Sequence, residues 1–138
     1  MNVISLLTPK ASVAWLYEDF TLRQGLEKLR HHGYTAIPVL ARDGRYVGTV
    51  SEGDFLWSLL DQGDNSLRTQ EKQYLKTILR PEFNPAVRID VTMEELIEQS
   101  LHQSFIPVVD DRGAFVGIVT RQTIIRRLTV PRAAEVSE

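Results

Sequence analysis

Cysteine is absent from the 138 residues. That excludes a disulfide framework and any thiolate metal site, and it fits a reducing, cytoplasmic setting. An excess of charge of one sign is also missing. The 16 Lys and Arg stand against 18 Asp and Glu, a formal net charge of −2 at pH 7. Both signs are spread along the chain. A dedicated nucleic-acid binder usually carries a basic face, so none is expected here. No apolar run approaches the roughly 20 residues of a membrane span. Residues 1–12 lack the basic start and long apolar stretch of a secretory signal. The expected partners therefore include no nucleic acid and no membrane. What is present is a 43% hydrophobic fraction, enough for a packed core. The length suits one domain or two small intertwined halves.

The stretch Gly33-Tyr34-Thr35-Ala36-Ile37-Pro38-Val39-Leu40 organises the chain. It turns at Gly33, becomes apolar and carries Pro38 within the apolar run. A proline there costs a ladder hydrogen bond, so it fits an edge position or the start of a strand. Asp43-Gly44 follows as a turn signal, then a second apolar run ending Val47-Gly48-Thr49-Val50-Ser51. The same order returns in Ser104-Phe105-Ile106-Pro107-Val108-Val109, Arg112-Gly113 and Val116-Gly117-Ile118-Val119-Thr120. Pro38 and Pro107, Gly44 and Gly113, and Gly48 and Gly117 are each 69 positions apart. Three landmarks at one shift make an internal repeat.

In chain order, Val3, Ile4, Leu6 and Leu7 suit a short docking helix that Pro9 ends. Residues 13–17 read as a short strand. Thr21 caps a helix with Leu22, Leu26 and Leu29 inward, and Gly33 ends it. His31 and His32 lie in its last turn, where cations are favourable; adjacent helix residues do not converge on a metal. Strands are expected at 36–40 and 46–50. A helix from Ser51 is expected to bury Phe55, Leu56, Leu59 and Leu60. Polar residues 61–66 read as a linker. A linking helix over 69–79 would turn Tyr74, Leu75, Ile78 and Leu79 inward. A short extended piece at 87–89 follows. Next comes a helix capped by Thr92 with Leu96, Ile97 and Leu101 as its apolar face. Strands at 105–109 and 115–119 and a helix over 120–128 complete the pattern. Each half is thus a small sheet with helices on one face, too small to bury much alone. Pairing through the sheets completes one core.

The segment Gly48-Thr49-Val50-Ser51-Glu52-Gly53-Asp54 carries the most chemical information. A strand runs into a helix whose first N–H groups favour an anion such as phosphate. Asp54, one turn in, can accept two ribose hydroxyls, and Gly53 leaves room for a flat group. Ser51 and Asp54 equally resemble a capping box that needs no ligand. The second copy keeps the hydroxyl at Thr120, has Thr123 in place of the carboxylate, and gains Arg121, which can pair with phosphate or stand solvated. Trp15, Tyr17 and Trp57 suit core or interface.

Two copies of this pattern resemble a CBS domain pair, the Bateman module, over residues 13–128. The resemblance implies an α+β, two-layer fold: tandem CBS repeats, with two small sheets and flanking helices packed as one pseudo-two-fold module. It divides the chain into a docking segment (1–12), repeat one (13–60), a linker and linking helix (61–84), repeat two (85–130) and a tail (131–138). It implies two clefts for adenosine-containing ligands. By that pattern, cleft one uses Val13, Ala14, Tyr34, Thr35 and Ala36 with Thr120 and Arg121. Cleft two uses Ala86, Val87, Ser104, Phe105 and Ile106 with Ser51 and Asp54. The first repeat also looks like small stand-alone CBS proteins of Gram-positive bacteria that bind cyclic di-AMP. Those carry Thr-Arg-Arg where this chain has Thr120-Arg121-Gln122.

The function expected is a cytoplasmic sensor of AMP, ADP, ATP or cyclic di-AMP, with no catalysis, cofactor or metal of its own. It would signal through an unidentified protein partner, and a homodimer is expected. The alternatives are a ligand-free structural adaptor acting through its dimer surface and, last, an enzyme acting on nucleotides.

Overall fold

The computed structural model describes residues 2–62 and 67–129. The first half holds β2 (Leu16–Tyr17), α1 (Leu22–His32), β3 (Ala36–Leu40), β4 (Tyr46–Ser51) and α2 (Glu52–Gln62). The second holds β5 (Val87–Arg88), α4 (Met93–Ser100), β6 (Phe105–Val109), β7 (Phe115–Thr120) and α5 (Arg121–Thr129). Ahead of the first half lies β1 (Thr8–Pro9), and ahead of the second lies α3 (Leu67–Lys72). The fold is α+β with two small sheets, as expected.

Local chemistry sets the element ends. Thr21 accepts from the Gln24 N–H, while the Gln24 side chain accepts from the Thr21 N–H, so a complete capping box starts α1. Gly33 ends α1 at φ 68°, a left-handed position that glycine adopts without strain. The hairpin turns also meet expectation: Gly44 and Gly113 have φ of 95° and 82°, and Asp110 Oδ1 accepts from the N–H groups of Arg112 and Ala114.

The repeat is exact in register. Ala36 pairs with Ser51 as Phe105 pairs with Thr120, and both hairpins shift register at the same place, after Val39 and after Val108. The two hairpins meet across the pseudo-two-fold axis. The Tyr46 N–H donates to the Gly113 carbonyl at 3.1 Å, and the Phe115 N–H donates to the Gly44 carbonyl at 2.9 Å. The Tyr46 and Phe115 rings stack beside this bridge.

Each half is closed by the segment that precedes the other. Thr8 and Pro9 pair antiparallel with β7 of the second half. Val3 and Leu6 are buried there with Val87, Leu96, Ile106, Val108, Val119 and Ile124. Leu75, 69 positions after Leu6, is buried in the first half with Leu16, Leu22, Leu29, Ile37, Val39, Val50 and Phe55. Gly117 permits the first exchange, because a Cβ there would strike the Thr8 carbonyl oxygen. The sheets are therefore β1-β7-β6-β5 and β2-β3-β4.

Several expectations need correction. The strand read over 13–17 is confined to Leu16–Tyr17, the only part that pairs with β3. Leu56 and Leu60, read as inward, are exposed on α2; Phe55 is the residue that reaches the core. Leu101 lies beyond the end of α4 and is exposed. The helix read over 69–79 stops at Lys72, and a 3₁₀ turn follows at Leu75–Thr77. That break lets the Leu75 N–H reach the Phe20 carbonyl and leaves Tyr74 outward. Residues 63–66 of the linker, residue 130 and the tail (131–138) lie outside the described residues.

Candidate ligand clefts between the repeats

The strand period of two decides which residues face a cleft. In β3, Ile37 and Val39 point into the helix-covered core, so Ala36 and Pro38 point away from it. In β7, Val119 packs in the core, while Ile118 and Thr120 face the other way. These outward faces, with Phe105 of β6, enclose a cavity of ≈ 350 Å³ between the halves. Its wall is mostly apolar, with hydroxyls from Thr8, Ser12, Ser104 and Thr120. That is the character of a small-molecule site: a concave apolar space with a few polar groups.

Of the residues expected in cleft one, Val13, Ala14, Tyr34, Ala36 and Thr120 line this cavity. Thr35 does not; its carbonyl accepts from the Glu52 N–H at 2.9 Å and its side chain is exposed. Arg121 is tied elsewhere, its Nε donating to the Ser100 carbonyl at 2.7 Å. Ser104 and Phe105, expected in cleft two, line the same cavity as Val13 and Ala14. Ile106 and Val87 are buried in the second core, with half-buried Ala86 beside them. Consecutive strand residues cannot share a face, which is why Ile106 drops out of β6 while Phe105 stays. The sequence reading missed Thr8, Ser12, Pro38 and Ile118. Period-two alternation signals Pro38 and Ile118; Thr8 and Ser12 arrive only through the exchanged segment.

Ser51 and Asp54 form the capping box that their spacing allowed. The Ser51 N–H and Oγ donate to Asp54 Oδ2 at 2.8 and 2.9 Å, and Ser51 Oγ accepts from the Asp54 N–H at 3.3 Å. Thr120 and Thr123 repeat this with two hydroxyls 2.8 Å apart. Asp54 has a further partner. Arg80 Nε lies 2.7 Å from Asp54 Oδ1, an ion pair between a carboxylate only 7% exposed and a guanidinium 52% exposed. The Arg80 guanidinium also lies over the Phe83 ring. A cavity of ≈ 560 Å³ lies against Ser51, Gly53, Asp54, Trp57 and Arg80. The residue 69 positions before Arg80 is Ala11, so nothing matches this pair in the first cleft.

Deeper in the second cleft, polar side chains close on one another. The Tyr46 hydroxyl donates to the Asn84 carbonyl and bonds Thr49 Oγ1. Asn84 Nδ2 donates to the same Thr49 oxygen, and Gln103 Nε2 donates to Asn84 Oδ1. Burial pushes the Tyr46 hydroxyl up to about 12, against the opposing hydrogen bonds from Thr49 and Asn84. Asn84, Gln103 and Thr49 correspond at the 69-residue shift to Trp15, Tyr34 and Ile118. The first cleft is apolar between its strand faces, where the second carries this polar network, with cavities of ≈ 560 and ≈ 380 Å³ beside it.

Comparison with known proteins agrees with the geometry. A 31% identical relative, homoserine O-acetyltransferase of Methanohalophilus mahii, aligns with 81% of this chain, and the match spans 22% of that enzyme. The Listeria monocytogenes CbpB protein in complex with c-di-AMP superposes with a TM-score of 0.83 at 22% identity, covering 97% of this chain and 98% of that one. CBSX2 in complex with AMP superposes at 0.73 with 22% identity, covering 99% and 98%. The family model of the CBS domain matches twice, at residues 4–61 and 76–130. Two register-matched hairpins about one axis, and two family matches over most of the length, establish that the chain belongs to the CBS domain family.

Proposed function

We propose that this protein is a non-catalytic sensor that binds an adenine nucleotide in the first cleft and signals through altered contact with a partner protein. The observation that carries this reading is the open, largely apolar cavity between the halves, with hydroxyls at its rim. Its fold neighbours include proteins in complex with c-di-AMP and with AMP. An adenine would lie between Ala36, Pro38, Phe105 and Ile118, and the ribose would meet Thr120 and Ser104. Val13, Ala14 and Tyr34 would close the mouth. The second cleft, with Asp54 held by Arg80, would be the weaker site.

Signalling requires a ligand that prefers one partner-binding state. The sensor acts as a homodimer in this reading. Leu56, Trp57 and Leu60 on α2 and Ile125 and Leu128 on α5 are all exposed, on helices related by the pseudo-two-fold.

Thermal unfolding with AMP, ADP, ATP, cyclic di-AMP and, as a control, GMP tests the proposal. A ligand at about 100 times its Kd adds about 2.7 kcal/mol, a rise of several degrees for a chain this size. No rise with any adenine nucleotide overturns the sensor and leaves the adaptor.

A further inference from the structure

We propose that residues 80–84 form a movable partition: closed, they divide the second cleft and hold off its ligand, and extended, they open it. This rests on the nucleotide reading above and adds a regulatory device to it. The two clefts differ in continuity. Beside the first, cavities of ≈ 530 and ≈ 350 Å³ share Ser12, Val13, Ala14 and Tyr34. Beside the second, cavities of ≈ 560 and ≈ 380 Å³ share no lining residue among the described ones. Arg80 lines the larger, while Glu82, Phe83 and Asn84 line the smaller. The segment therefore stands between them.

Side chains on both sides fasten it. Arg80 Nε lies 2.7 Å from Asp54 Oδ1, and the same guanidinium covers the Phe83 ring, 3.7 Å from its centre. Asn84 Nδ2 donates to Thr49 Oγ1 at 3.1 Å, and Gln103 Nε2 donates to Asn84 Oδ1 at 3.0 Å. The Tyr46 hydroxyl donates to the Asn84 carbonyl at 2.7 Å.

The backbone is held against its own preference. Glu82 and Asn84 have φ of 59° and 55°, and among the described residues no other non-glycine residue has a positive φ. The Cβ of a glutamate crowds the following carbonyl there. At Asn84 the ring of Pro85 favours an extended backbone instead. Such conformations persist only where the surroundings impose them. The first repeat shows the relaxed alternative. Val13, the counterpart of Glu82 at the 69-residue shift, is extended at φ −120° and ψ 139°, and its cleft is continuous. A ligand phosphate that draws Arg80 from Asp54 removes one fastening. Until then the closed form lowers the apparent affinity by the fraction of chains that are open.

Calorimetry with AMP and thermal unfolding test this on the full chain, using the wild type, Glu82→Gly and Glu82→Val. Glu82 is exposed, so both variants are expected to fold. Glycine takes the left-handed conformation freely and favours the closed form, whereas a β-branched valine disfavours it and favours the extended one. The wild type is expected to bind a second AMP equivalent about tenfold or more below the affinity of the first. Glu82→Val should tighten that second equivalent about tenfold and leave the first within about twofold. Glu82→Gly should weaken or abolish it and should melt above Glu82→Val. A second equivalent that neither variant moves, or that both tighten alike, overturns the partition. So does a Glu82→Gly that melts no higher than Glu82→Val, a result that needs no ligand. A wild type that binds no AMP instead overturns the nucleotide reading, and the melting comparison then decides the partition alone.

Discussion

Arg80 changes what the Asp54 carboxylate can do. A carboxylate at that helix start, two bonds deep in a capping box, still has an oxygen to offer a ribose; in this chain Arg80 already holds it at 2.7 Å. A nucleotide in the second cleft must displace a half-exposed guanidinium. We expect Arg80→Ala to cost about 1 kcal/mol of stability, because Asp54 keeps both Ser51 donors and the pair is partly solvated. We also expect the variant to acquire a second AMP equivalent in calorimetry. Unchanged stoichiometry would mean that the Asn84–Gln103 network alone closes this cleft. The capping box itself was legible from Ser51 and Asp54 at three-residue spacing. Arg80 was not, because its partner lies 26 residues away and the chain between them bends at the 3₁₀ turn.

Among the elements, the exchanged segments carry the most weight. Leu6 and Leu75 are single apolar residues that close the core of the half they do not precede. Leu75→Ala and Leu6→Ala should each cost about 2–5 kcal/mol, as buried leucine truncations do. Both should unfold the molecule in one transition, since neither half closes alone; two separate transitions by denaturant titration would contradict this. The turn at Asp110 contributes in a different way. N–H groups of Arg112 and Ala114 hold its carboxyl below the usual aspartate value of about 3.9. Its contribution is present above that value and is lost as pH falls through the lowered one. Asp110→Ala should therefore melt below the wild type at pH 7, and the two melting temperatures should converge as pH falls below about 4. The strands, turns and caps of both halves were legible because Thr21, Gly33, Gly44 and the alternating apolar runs act locally. The broken helix before Leu75 was not, since a backbone hydrogen bond to Phe20 overrides its helical apolar spacing.

At the scale of the whole molecule, one pseudo-two-fold axis makes two clefts, and the side chains make them unequal. The repeat was visible as a constant shift, so the paired architecture could be read directly. That the clefts differ was legible too, in Thr123 and Arg121 set against Asp54; the form of the difference was not, because Arg80 and the Asn84–Gln103 network reach the second cleft from distant segments. Dimerisation belongs to this scale too. Leu56→Asp combined with Ile125→Asp places a charge on each exposed helix. Sedimentation at micromolar concentration should show a dimer for the wild type and a 15.7 kDa monomer for the double variant; a monomeric wild type would remove the proposed interface. The central claim is that an adenine nucleotide sits in the first cleft. Ala36→Trp fills that cavity from β3 and leaves Asp54 and Arg80 untouched. Calorimetry with AMP and cyclic di-AMP on the wild type and on this variant, its fold checked by circular dichroism, is the most direct measurement. The account predicts one high-affinity equivalent in the wild type and a loss of at least a hundredfold in Ala36→Trp. Full affinity in a folded Ala36→Trp would contradict it.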